Sequence, residues 1–187
     1  MPAGRPPRPT PLPVPTVRLF LALWPGPAGR RALAAHRQQW AWPEAARLLP
    51  PARLHLTLHF LGQVPAAKLP PLTAAIDTLA ASAPAANMGL SLGQAEVWSN
   101  GVAVLCPSDE PPALRRLHGA LGELLPALGL PREPRPFRPH VSLARHAAGA
   151  QPPLAAPAVR LDLRSVVLVQ SERGYRVLRR WPLGGGR

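Results

Sequence analysis

Arg53-Leu54-His55-Leu56-Thr57-Leu58-His59-Phe60-Leu61-Gly62 alternates polar and apolar side chains until a glycine stops the run, and His140-Val141-Ser142-Leu143-Ala144-Arg145 repeats its opening in the second half of the chain. Strict alternation is the period of a strand with one face in the core. Side chains two apart share a face, so each segment presents an imidazole and a hydroxyl together, His55 with Thr57 and His140 with Ser142, while the residues between them point inward. A single His-x-Thr on a strand is commonly no more than a half-buried surface. A matched pair in two halves of one chain has no ordinary packing explanation. Laid side by side, the two strands would surround one cavity with two imidazoles and two hydroxyls. That set suits a phosphoryl group: hydroxyls donate to its oxygens, while two imidazoles supply one base and one acid for displacement at phosphorus. The scheme calls for no metal and no cofactor.

The surrounding chain supplies the elements to hold such strands. Val17 to Trp24 reads as an apolar strand, Ala28 to Trp40 and Lys68 to Ala83 as helices, and Met88 to Val97 with Val102 to Cys106 as strands joined at Asn100-Gly101, a strong hairpin signal. Pro111 to Leu128 reads as a helix, and Val159 to Val169 and Tyr175 to Trp181 as strands flanking a turn at Glu172-Arg173-Gly174. Connections between neighbouring strands are too short for parallel crossovers, which points to an α+β fold with antiparallel sheets and two similar halves. Residues 1–16, with seven prolines and no acid, are expected to form a disordered tail, residues 17–183 one bilobal domain, and residues 184–187 a frayed end.

The 187 residues carry 22 basic and 9 acidic side chains, a net charge of +13, and every basic residue but Lys68 is arginine. Arginine matches phosphate oxygens bidentately, so an anionic partner fits. An excess of Ala, Pro and Arg is also what biased codon usage produces, so charge alone does not identify that partner. The single cysteine, Cys106, excludes an intrachain disulfide framework and is expected to pack in a strand. No apolar run approaches a membrane span, and Leu19 to Trp24 is too short and too quickly followed by Pro25-Gly26-Pro27 for a signal peptide; a cytoplasmic monomer without membrane contact is expected.

The doubled His-x-Thr/Ser-x resembles the signature of the two-histidine phosphoesterases, and in particular the RNA 2′,3′-cyclic phosphodiesterases, also called 2′-5′ RNA ligases, of the LigT type. The resemblance runs from Arg18 to Trp181. Arg18 to Leu23 is similar to that family's first strand, Leu54 to Gly62 to its first motif strand, Phe137-Arg138-Pro139-His140 to its approach to the second motif, and Tyr175 to Trp181 to its closing strand. Ser142 stands where many members carry threonine, and His59 at a variable position. The resemblance implies a bilobal fold with a pseudo-twofold, two antiparallel sheets lining a central groove, and helices outside. It implies opening of a terminal 2′,3′-cyclic phosphate on RNA to a 2′-phosphomonoester. In that reaction His55 is the proton donor to the departing 3′ oxygen, His140 the acceptor that activates water, and Thr57 and Ser142 hold the non-bridging oxygens. Spacing alone does not say which histidine is the base.

Arg53, Arg138, Arg145, Arg173 and Arg176 flank the motif strands or the last hairpin and are candidates to contact the RNA backbone. Tyr175 and Trp98 are candidates to stack a base. His59 shares strand parity with His55 and could touch RNA, but at about 3.3 Å per residue it lies some 13 Å from His55, too far to share a metal. His36, His118 and His146 are expected to be solvated or to cap. Two alternatives use the same residues: ligation of a cyclic-phosphate end to a 5′-hydroxyl through a 2′-5′ linkage, and an RNA-end binding module without turnover.

Overall fold

A computed structural model describes residues 14–82, 88–172 and 174–184 of the chain. In order, the elements are β1 (Thr16–Leu23), α1 (Pro27–Gln38), β2 (Arg47–Leu48), β3 (Leu56–Pro65), α2 (Leu69–Ser82), β4 (Met88–Val97), β5 (Ala103–Pro107), α3 (Pro112–Ala127), β6 (Val141–Arg145), β7 (Val159–Leu163), β8 (Ser165–Gln170) and β9 (Arg176–Pro182). Helices α1 and α3 each open on a proline in the first turn, where its missing N–H has no intrahelical partner to lose. Gly101, at φ +75°, turns the chain between β4 and β5, as the Asn-Gly pair requires.

All strand pairings are antiparallel, in the order β7-β4-β5-β6-β3-β1-β8-β9, with β2 paired to β6. The order is symmetric about its middle. Motif strands β6 and β3 lie at the centre, β5 and β1 flank them, then β4 and β8, then β7 and β9. The two expected sheets are these two four-stranded lobes, and they meet at one ladder pair, Leu56 with Val141. The lobe holding His140 is contiguous in sequence, from β4 to β7, whereas the lobe holding His55 takes β1 and β3 from one side of it and β8 and β9 from the other.

Burial explains the text of each strand. Leu19, Leu21 and Leu23 of β1 enter the main core beneath the helices, while Phe20 and Ala22 on the other face join Val167 and Val169 of β8 in a second cluster with Trp24 and Tyr175. Covered on both faces, these strands read as continuous apolar runs. Val159 to Val169, expected as one strand, is two. Val-Arg-Leu-Asp-Leu alternates because β7 is an edge with one buried face; the pattern becomes continuous from Ser165 as the chain crosses to the other lobe between β1 and β9.

Other boundaries shift for identifiable reasons. Strand β3 does not stop at Gly62 but passes through it at φ +67°, with register shifts on either side of the stretch paired to Phe20 and Leu21. Thr16 already belongs to β1, and the Pro15 carbonyl accepts from Ala66 N–H at 2.8 Å, so residues 15 and 16 are tied to the sheet. The rest of the expected tail (1–13), the end of the second helix at Ala83, Arg173 and residues 185–187 lie outside the described residues. Cys106 is buried in β5, as expected, and desolvation pushes its thiol up to about 11, an unreactive state. Among the described residues no helix is long and apolar enough to cross a membrane.

Candidate active site

The two motif histidines stand one residue before their strands, on either side of the seam. Because Leu56 faces Val141 in an antiparallel ladder, residue 57 lies across from 140 and residue 55 across from 142. Each ring is held in the same way. His55 Nδ1–H donates to the Arg53 carbonyl at 2.7 Å, and His140 Nδ1–H to the Arg138 carbonyl at 2.7 Å. A carbonyl accepts only, so both rings carry their proton on Nδ1 when neutral and leave Nε2 as the reactive atom. Nε2 of His55 lies 3.1 Å from Thr57 Oγ1. The repeat is therefore longer than His-x-Thr/Ser: an arginine two residues ahead of each histidine lends its carbonyl to the ring. Its guanidinium also packs on an aromatic, Arg53 over Tyr175 at 5.3 Å and Arg138 over Trp98 at 4.9 Å.

The walls differ between the lobes. His55 is stacked between Phe20 (4.9 Å, 27°) and Trp24 (5.1 Å, 5°), with Tyr175 edge-on at 5.5 Å. His140 meets a single aromatic, Trp98, at 4.4 Å and 59°. Desolvation dominates the titration of both. It drives His55 down to about 4, against the Arg53 carbonyl and with a small further push from the charge of His140. His140 is lowered too, again mainly by burial, against the Arg138 carbonyl; the charge of the Arg138 guanidinium lowers it further and that of Glu96 raises it. Both imidazoles are thus neutral at pH 7 in the free protein, and an arriving anion would raise both.

Thr57, His140 and Ser142 open onto a groove of about 520 Å³ whose walls include Phe60, Trp98, Phe137, Arg135, Arg138 and Arg145. Of the arginines expected at RNA, the structure brings Arg138 and Arg145 to this groove, while Arg53 packs over Tyr175 beside His55, and these three are not among its walls. Arg176 is not brought there: it pairs with Gln170, one position out of step with Val169 and Val177 on the groove side of β8 and β9. Tyr175 and Trp98 pack on the two histidines instead of standing free for a base.

His59 corrects the parity argument. The bulge at Leu58 turns it to the helix side, where it is 2% exposed and its Nε2–H donates to the His118 carbonyl at 2.8 Å, so it cannot touch RNA. His118 is stacked between His59 (4.1 Å) and Phe137 (3.9 Å), and His36 is buried, accepting from Trp40 Nε1 at 3.4 Å; neither is simply solvated. His146 is exposed at φ +52°, just beyond β6. Phe20 and Trp24 were not anticipated in the site. The signal available was their spacing: Phe20 and Ala22 of β1 and Trp24 just beyond it fall on alternate positions, a large-small-large stripe on the side of the imidazole.

A curled antiparallel sheet of two pseudo-equivalent lobes, with paired His-x-Thr/Ser strands at its seam, is an arrangement already known. Residues 27–174 match the 2′-5′ RNA ligase superfamily, and the chain belongs to that family. The RNA 2′,3′-cyclic phosphodiesterase of Escherichia coli (strain K12) is 30% identical over 173 residues, which span 89% of this chain and 96% of that protein. Among solved structures, E. coli LigT complexed with 3′-AMP aligns with a TM-score of 0.76 at 29% identity, covering 91% of this chain and 100% of that one. A protein of Thermus thermophilus, TT0787, aligns with a TM-score of 0.71 at 30% identity over 91% and 100% of the two chains.

Proposed function

We propose that this protein is an RNA 2′,3′-cyclic phosphodiesterase that opens the terminal cyclic phosphate to a 2′-phosphomonoester by acid–base catalysis between His55 and His140, without a metal. The observation that carries the reading is the matched pair of Nδ1–H to carbonyl bonds, which leaves Nε2 as the reactive atom of an imidazole on each side of the Leu56–Val141 seam. In-line displacement needs a base on the attacking side and an acid on the leaving side, and two opposed imidazoles meet that need. Thr57 and Ser142 supply hydroxyls for the non-bridging oxygens, and Arg138 and Arg145 line the groove for the RNA backbone. The names of the E. coli and Geobacillus stearothermophilus relatives, both RNA 2′,3′-cyclic phosphodiesterases, support the substrate. Residues 17–183 act as one bilobal unit and as a monomer, since one chain contributes both halves of the site.

In the roles implied by the family, His140 takes a proton from water as it attacks phosphorus. His55 gives its proton to the 3′ oxygen as the P–O3′ bond breaks. A donor held near 4 is a strong acid that is scarcely charged at neutral pH, so the phosphodiester anion must raise it on binding. Incubation with a short RNA ending in 2′,3′-cyclic phosphate, with products read by phosphorus NMR, tests the proposal. A 2′-phosphomonoester formed over many turnovers, undiminished by EDTA, is the expected result. A 3′-phosphate, joining to a 5′-hydroxyl RNA faster than hydrolysis, or binding with no turnover would each overturn it.

A further inference from the structure

The two lobes share the backbone acceptor for Nδ1–H but back their histidines differently, and in the His140 lobe a carboxylate ties the backing together. Oε2 of Glu96 accepts from Trp98 Nε1 at 2.9 Å and from Arg138 Nη2 at 2.6 Å. Arg138 lies over the Trp98 ring at 4.9 Å, so carboxylate, indole and guanidinium form one closed unit. Both partners of that unit act on His140: Trp98 packs on its ring at 4.4 Å, and the Arg138 carbonyl accepts its Nδ1–H at 2.7 Å. We propose that Glu96 is a positioning residue for His140, pinning with one carboxylate oxygen the indole and the arginine that set the ring's plane and tautomer. The inference rests on the reading of His140 given above and deepens it.

Comparison of the lobes strengthens the assignment. Glu96 of β4 sits in a row across the sheet with Val104 of β5 and Ser142 of β6. The equivalent row in the other lobe runs Val167 of β8, Ala22 of β1 and Thr57 of β3. Where one lobe has a carboxylate the other has valine, and where His140 has a charge-pinned frame His55 has the stacked walls of Phe20 and Trp24. Among the described residues, the charged or titratable groups facing His140 are Arg138 from the approach segment, Glu96 from β4 and His55 from across the seam; β5 places Val104 in that row and, two residues on, Cys106, a neutral thiol that feels both Glu96 and Arg138. Removal of Glu96 therefore frees Arg138 and Trp98 together. It leaves the His55 frame intact.

The test uses Glu96→Ala and Glu96→Gln, with nitrogen NMR of the imidazole rings in the free protein alongside steady-state kinetics on the cyclic-phosphate RNA. In the wild type His140 is expected as the Nδ1–H tautomer. In Glu96→Ala that signal is expected to become a mixture of tautomers while the His55 signals stay put, and kcat to fall on the order of tenfold to a hundredfold with KM within about twofold. Glu96→Gln keeps one amide oxygen as acceptor and is expected to recover part of both. It also serves as the readout should the alanine variant fail to fold. Unchanged His140 signals with kcat within about twofold of wild type, in whichever variant folds, would overturn the positioning role. Because the NMR measurement needs no substrate, a protein that hydrolyses nothing while its His140 still responds to Glu96 refutes the enzymatic reading alone. An active protein whose His140 ignores Glu96 refutes the inference alone.

Discussion

At the scale of single residues, the site is two imidazoles whose reactive nitrogen is chosen by the backbone. Loss of either ring removes one proton-transfer partner, worth about 10² to 10⁴ in rate, so His55→Ala and His140→Ala should each lower kcat by at least about a hundredfold. Their thermal midpoints should stay within a few degrees of wild type, since neither ring anchors the core. Retention of near wild-type turnover by either variant would break the assignment. Burial also sets the pH dependence. Both groups titrate below the usual 6.5 in the free protein, the acid must be charged and the base neutral, so kcat/KM should peak on the acid side of 6.5 and decline toward pH 8. The kcat profile should lie to the alkaline side of it, because bound phosphodiester raises both groups; a kcat/KM still rising at pH 8 would contradict this. His55, Thr57, His140 and Ser142 were legible in the sequence because a period of two exposes a repeated pair. Phe20 and Trp24 were harder to read, since β1 is apolar on both faces and only their alternate spacing with Ala22, a weak signal in a continuous apolar run, sets the groove face apart. Glu96 was hidden for another reason: its partner Arg138 is 42 positions away.

At the scale of elements, alternation found β3, although the strand begins at Leu56 after a 3₁₀ turn over Pro51–Arg53 and runs to Pro65. It gave the wrong side for His59, because one extra residue in a strand reverses the side chains that follow until the next irregularity. The bulge that moves His59 beneath α3 keeps Phe60 on the groove wall. Gly62 makes the second irregularity possible, at φ +67°, where an added Cβ would meet nothing closer than Phe60 Cε1 at 3.9 Å. Its cost on substitution is therefore conformational rather than steric. Gly62→Ala should destabilise the protein by roughly 1–2 kcal/mol, read as a lower urea midpoint at unchanged slope. No loss of stability would mean that the strand can re-register without it. The division at Arg164 shows the same dependence on context. The change from alternating Val159-Arg-Leu-Asp-Leu to continuous Ser165-Val-Val-Leu-Val marks the crossing between lobes, yet periodicity cannot say which neighbours a strand will find.

At the scale of the molecule, histidine burial links stability to acidity. His36, His55, His59, His118 and His140 all titrate below 6.5 when folded, so between 6.5 and about 4 the unfolded chain binds more protons than the native one. Their neutral forms contribute stability that is complete above 6.5 and lost as the pH falls toward 4. The thermal midpoint should drop across that window, and an unchanged midpoint between pH 7 and 4.5 would deny that desolvation holds these rings neutral. The division into lobes also has a consequence for how the chain is made. The four main strands of the His140 lobe, β4 to β7, are an uninterrupted stretch of sequence, and the short β2 that pairs with β6 precedes them, whereas β1 must wait for β8 to emerge before its second edge is paired. During translation, then, the half that carries the second motif can close first, and the half that carries the first motif is finished last, around a neighbour already in place.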